Sequence, residues 1–260
     1  MREKNSQGAQ YTQPRWSSEG TFRALLLLSI GSISLCAIKL FTTLGQRFVL
    51  YPWQWADDGL FVRQALHLIT SGWLGPYDNL TLVKGPGYPL VVAANFLLGT
   101  PLLLTHVLVY ATGAVVFVWA LRPLVRAPLL LLALLALLLF DPMTFAYGSM
   151  RAVRVHVYSG ITMAVVGAGL GLMLRTQANR VSALPWAILL GISLGLLWIT
   201  REEGVWIIPY LLVVAVVTAI AIGSPFSSRE NLKRYFVLMM VPGIIAAGIV
   251  AAVAARNYIE

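Results

Sequence analysis

Charge is scarce in this chain. Only 11% of its 260 residues are Asp, Glu, Lys or Arg, and 58% are hydrophobic, where a soluble domain carries roughly 25% charged residues. That balance excludes an ordinary soluble domain and points to an all-α integral membrane protein. Acids are scarcer than bases, ten against nineteen, which leaves a net charge of +9. A nucleic acid is nonetheless excluded as a partner, because the basic residues are scattered between apolar runs and form no stripe. Cysteine is nearly absent. The single Cys36 sits in an apolar run, so there is no disulfide framework and no cysteine metal site. The three histidines, His67, His106 and His156, are too dispersed to suggest a metal triad. No clean signal peptide is present either, since some twenty polar residues precede the first apolar run and no small-residue cleavage site follows it. No internal repeat is evident.

What the chain does have is long apolar runs. A membrane span needs about 20 mostly apolar residues. Candidate spans are 22–44, 101–121, 127–146, 157–174, 183–199, 205–222 and 235–255, preceded by a polar tail over 1–21. The apolar piece 88–98 is too short to cross. Eleven of the nineteen basic residues fall on one side of this arrangement: Arg2, Lys4, Arg15, Arg23, Arg122, Arg126, Arg175, Arg180, Arg229, Lys233 and Arg234. That side is expected to face the cytoplasm of a cell membrane. Parity then makes 88–98 a re-entrant or interfacial helix. It also places the 45–87 loop, the Asp141–His156 turn, the Thr200–Gly204 turn and the C-terminus on the extracytoplasmic side.

The polar groups on that side are the candidate site. Asp57 and Asp58 precede an amphipathic stretch, LFVRQALHLITSG, and can act as helix caps or as a general base at the membrane face. Trp53 and Trp55 can anchor at headgroup level. Lys84 lies beside a Gly-Pro-Gly turn, where a fixed ammonium could hold a phosphate. Arg151 and Arg154, three apart, are expected on one helical face, suited to an anion or to interfacial anchoring. His156 follows them as a supporting group. Thr200-Arg201-Glu202-Glu203 separates two apolar runs and is either a tight hairpin with Arg201 paired internally or part of a functional site. Lys39, inside the first span, either snorkels or faces the same site.

These residues resemble the GT-C class of polytopic glycosyltransferases, nearest the aminoarabinose and protein O-mannosyl transferases and their bacterial relatives. In that family the first outer loop opens with Asp-Glu, continues as an interfacial helix ending Ser-Gly, and closes at a Lys-Pro motif before a Tyr-containing helix. Asp57-Asp58, Ser71-Gly72, and Lys84 with Tyr88 stand at those places. The Thr200–Gly204 turn looks like a motif of the bacterial relatives. The resemblance implies a seven-span core, Asp57 as catalytic base with Asp58 beside it, and Lys84 on the donor phosphate near Tyr88. It implies a polyprenyl-phosphate-linked sugar as donor and a glycan, lipid or protein as acceptor. Three features depart from it. The second acid is Asp58 rather than Glu, Leu60 stands where some members have Arg, and Val155-His156 replace an acid. The last departure weakens a divalent-metal version, and no other cofactor is implied. Family members are usually longer, so a truncated or minimal form is expected.

The expectation is therefore an inverting glycosyl transfer on the outer face. Lys84, Arg151, Arg154 and Arg201 would clamp the phosphate, and Glu202, Glu203 and His156 would support them. The alternatives are a non-catalytic, transporter-like or lipid-headgroup-binding protein, or an incomplete glycosyltransferase.

Overall fold

In the computed structural model the described residues are 18–49, 58–70, 73–76, 84–146, 150–176, 180–201, 204–223 and 228–259. They form an all-α polytopic membrane protein. Nine α-helices are described: α1 Ser18–Leu44, α2 Leu60–Thr70, α3 Gly87–Leu98, α4 Leu102–Ala120, α5 Pro128–Leu139, α6 Val155–Thr176, α7 Arg180–Thr200, α8 Ile207–Ile222 and α9 Arg229–Ile259. Six stretches, led by α1, α4, α6, α7, α8 and α9, are long and apolar enough to cross a membrane.

The core is the succession α4, α6, α7 and α9, in which α4 runs parallel to α6 and α7 parallel to α9, while α6 and α7 are antiparallel. Small residues let these helices approach closely, as packing without a hydrophobic driving force requires. A Cβ added at Gly113 of α4 would strike the backbone of Gly160 in α6, and one at Gly167 of α6 would strike the backbone around Phe117. Gly191 and Gly195 of α7 admit Pro242, Ile245, Ala246 and Ile249 of α9 in the same way. One buried cluster runs along α6 and α7 through Val165, Ala168, Leu172, Ala187 and Leu190. A second joins α1, α4 and α5 through Leu28, Ala114, Val118, Leu131 and Leu135. The outward faces carry exposed apolar side chains such as Ile33 and Phe41 of α1, Val213 and Ile220 of α8, and Ile244 of α9. Facing lipid, they need no further partner.

Among the short helices, α3 does not cross. α3 has 12 residues, about 18 Å at 1.5 Å per residue, short of a hydrocarbon core of about 30 Å. Both its ends bind the segment 100–106, where α4 starts. Tyr88 near its start meets His106, and Asn95 near its end bonds Thr100 and Thr105. Gly99, with φ of 64°, terminates it in the left-handed conformation. The short helix thus returns to the end it left. The stretch 127–146, expected to be a full span, runs from the Arg126 end of the bundle to the end where Thr144 meets Lys39, but its α-helix stops at Leu139. A 3₁₀ turn, Pro142–Phe145, follows, with the Asp141 carboxylate accepting from the Met143 N–H at 2.9 Å. Asp141-Pro142 breaks the run because Pro cannot donate to the helix and Asp bonds the local backbone instead.

Candidate functional site

The site lies at the end of the bundle where α1, α5 and α7 finish and α4 and α6 begin. α2 lies across it. Leu60, Phe61, Gln64 and Ala65 are the buried face of α2, a helical spacing that turns Arg63 and Leu66 outward. Asp58, just ahead of α2, is fully buried. Its carboxylate accepts two parallel hydrogen bonds from Arg151, from Nε at 3.1 Å and from a terminal nitrogen at 2.8 Å. This fork geometry suits guanidinium and no other cation.

Arg151 is held by an extended pairing rather than by a helix. Val49 donates to the Met150 carbonyl at 2.9 Å and pairs in parallel with Arg151. α6 begins only at Val155, so Arg151 and Arg154 do not share the helical face that their spacing suggested. Their side chains part. Arg151 goes to Asp58, while Arg154 donates to the Thr200 carbonyl at the end of α7 at 3.0 Å.

Two cations approach the Phe61 ring. Lys84 Nζ and the Arg154 guanidinium carbon are each 5.9 Å from its centroid, the outer limit of a cation–π contact. Tyr88 packs edge-on against the same ring, with centroids 4.9 Å apart. Its hydroxyl is 2.9 Å from His106 Nε2. Burial pushes the Tyr88 phenol well above its ordinary range, and the Asp58 carboxylate pushes it the same way. The phenol therefore stays neutral. Arg201 lies over the Tyr158 ring at 4.5 Å, and Trp206 donates to the Tyr158 hydroxyl at 2.8 Å. Tyr158 is one turn along α6 from Arg154.

Lys84, Tyr88, Arg151, Arg154, Arg201 and Asp58 thus gather at one end. His156 joins them from beneath, donating from Nε2 to the Thr144 carbonyl at 3.3 Å and stacking on His106 at 6.0 Å. Asp57, Glu202 and Glu203 lie outside the described residues, as do Trp53, Trp55, Ser71, Gly72 and the tail before Ser18. Among the described residues no three His, Cys, Asp or Glu side chains lie together.

A deeper layer reaches into the bundle. Lys39 of α1 is 1% exposed. Its ammonium donates to Thr144 Oγ1 at 2.7 Å and sits 3.3 Å from the centroid of the Phe145 ring. It fills the space left where α5 stops short. The signal for this contact is in the sequence as a lysine inside an apolar run and an Asp-Pro break in another, but nothing local joins the two. Comparison of the chain with protein-family models, with curated proteins and with solved structures finds no match.

Proposed function

We propose that the protein is a membrane glycosyltransferase of GT-C type, using a polyprenyl-phosphate-linked sugar at the end of the bundle where Asp58 lies. The observation that carries this reading is the gathering of Lys84, Arg151, Arg154 and Arg201 with a buried carboxylate at one end of an otherwise apolar bundle. The Arg122 end would face the cytoplasm of the cell membrane, and the Asp58 end the outside. Asp58, held on both oxygens by Arg151, suits a supporting role, which leaves Asp57 as the base.

In this mechanism Asp57 takes the proton of the acceptor hydroxyl. The hydroxyl oxygen attacks the anomeric carbon and forms the new glycosidic bond while the bond from that carbon to the phosphate oxygen breaks, inverting the centre. Charge grows on the departing lipid phosphate. Lys84 and Arg154, both near Phe61, would stabilise it in surroundings poor in water. No metal is needed for this balance, and no described cluster argues for one or against it. The test is mass spectrometry of glycolipids and glycans from cells with and without the gene. Loss of one sugar from an acceptor, with its polyprenyl-phosphate donor accumulating, is expected; identical profiles would overturn the reading.

One observation favours the second reading, a transporter-like protein that binds a lipid headgroup. A buried lysine beside an interrupted helix is a feature of transport sites, and Lys39 against the broken α5 fits it. That reading predicts headgroup binding with no sugar transferred.

A further inference from the structure

The opposite end of the bundle carries its own cationic cluster. α1 and α5 begin there, and α4 and α6 end there. Between them lies a cavity of about 380 Å³ whose walls include Gly20, Thr21, Arg122, Arg126 and Arg175. The volume is that of a small-molecule site.

Arg175 is fixed by its surroundings. It donates to the carbonyls of Trp119 at 3.0 Å and Ala120 at 3.1 Å, which close α4, and lies 4.2 Å from the Trp186 ring. A helix C-terminus leaves carbonyls without intrahelical partners, so this arginine is held as part of the scaffold and its charge is set at the cavity wall. Arg122 and Arg126 stand on the turn between α4 and α5. The like charges of Arg122 and Arg175 repel each other, and an anion bound in the cavity relieves that repulsion. Gly20 and Thr21 belong to the first turns of α1, the positive end of a 27-residue helix. The planar guanidinium fork matches phosphate oxygens. The cavity also sits where spans end, at the depth of lipid headgroups.

We propose that Arg122, Arg126 and Arg175 form an anion site that holds a phosphate group, separate from the Asp58 site and at the other end of the bundle. The phosphate is that of an anionic lipid headgroup or a free phosphate, and the two sources are told apart by competition. The inference does not depend on glycosyl transfer.

The test uses the purified full-length protein and native mass spectrometry with phosphatidylglycerol, phosphatidylcholine and inorganic phosphate as probes. Wild type is expected to retain phosphatidylglycerol over phosphatidylcholine. Arg122→Gln/Arg126→Gln is expected to lose that preference by about fivefold or more, the scale of a lost charge-assisted contact. Arg122→Gln alone serves if the double variant does not fold. Arg229→Gln/Lys233→Gln removes the same charge from the same end, away from the cavity, and should leave retention unchanged. Failure of millimolar phosphate to compete identifies a lipid headgroup, and competition by phosphate identifies the free anion. Equal retention by the Arg122 variants and wild type, or equal loss in the Arg229/Lys233 control, overturns the proposal.

Discussion

Asp58 and Arg151, 93 residues apart in the chain, are joined by two parallel hydrogen bonds with the carboxylate wholly buried. The pair ties the start of α2 to the segment that leads into α6, and so sets where Phe61 and Arg154 meet. Removing one partner of a buried ion pair strands the other and costs about 3–5 kcal/mol. Asp58→Ala should therefore lower the thermal unfolding midpoint of the detergent-solubilised protein sharply. Arg151→Lys keeps the charge but loses the fork, and should fall between Asp58→Ala and wild type. An Asp58→Ala variant as stable as wild type would show that the pair does not hold the site.

Lys39 tests whether its buried charge or its bulk matters to the fold. Thr144 Oγ1 also bonds the Asp141 carbonyl at 2.7 Å, so its hydroxyl keeps a partner without the lysine. Lys39→Met fills nearly the same space, and a volume-conserving swap costs less than about 1.5 kcal/mol. Lys39→Ala opens a cavity and should cost about 2–5 kcal/mol. Unfolding scans of the two variants should separate them, and a methionine variant as unstable as the alanine variant would contradict this account.

Gly113 and Gly160 set the spacing of α4 and α6. A Cβ at either position meets backbone, which cannot yield as a flexible side chain can. Gly113→Val should cost at least about 1–3 kcal/mol by overpacking and reduce the yield of monodisperse protein. Gly248→Ala on α9, where a Cβ meets nothing within 4 Å, is the control and should leave size-exclusion profiles and unfolding unchanged.

Tyr88 and His106 are both buried and share one hydrogen bond. Tyr88→Phe keeps the ring on Phe61 but leaves His106 Nε2 without that partner, at a cost of about 1–3 kcal/mol. His106→Leu in the same chain removes the orphaned nitrogen. A double-mutant cycle on unfolding should then give a coupling of about 0.5–3 kcal/mol, and strictly additive effects would sink the contact as an energetic link.

Much of the fold was legible because span length and loop charge are local properties. The apolar runs led by α1, α4, α6, α7, α8 and α9 carry their own signal, and α3 was identified as non-spanning from its length and from parity. The 127–146 run joins the two ends of the bundle as its hydropathy suggests, but hydropathy hides the Asp141-Pro142 break that ends its α-helix at Leu139. Arg151 and Arg154 were given helical periodicity because spacing alone does not reveal that Val49 pairs with this segment in extended form. The Asp58–Arg151 pair and the Lys39–Thr144 contact join residues about a hundred positions apart, and no pattern within either stretch encodes a partner that distant. Residue types at the site were readable; which cation goes to which acceptor was not.

The central claim is transfer of a sugar with Asp57 as base. Its most direct test is complementation of a gene-deletion strain with wild type, Asp57→Asn and Asp57→Glu, matched for protein level in the membrane, with glycolipids and glycans read by mass spectrometry. The account predicts that wild type restores the sugar-bearing acceptor. Asp57→Asn, of equal volume and unable to take the proton, should restore none and accumulate the polyprenyl-phosphate donor, and Asp57→Glu should restore part. Full restoration by Asp57→Asn would contradict it.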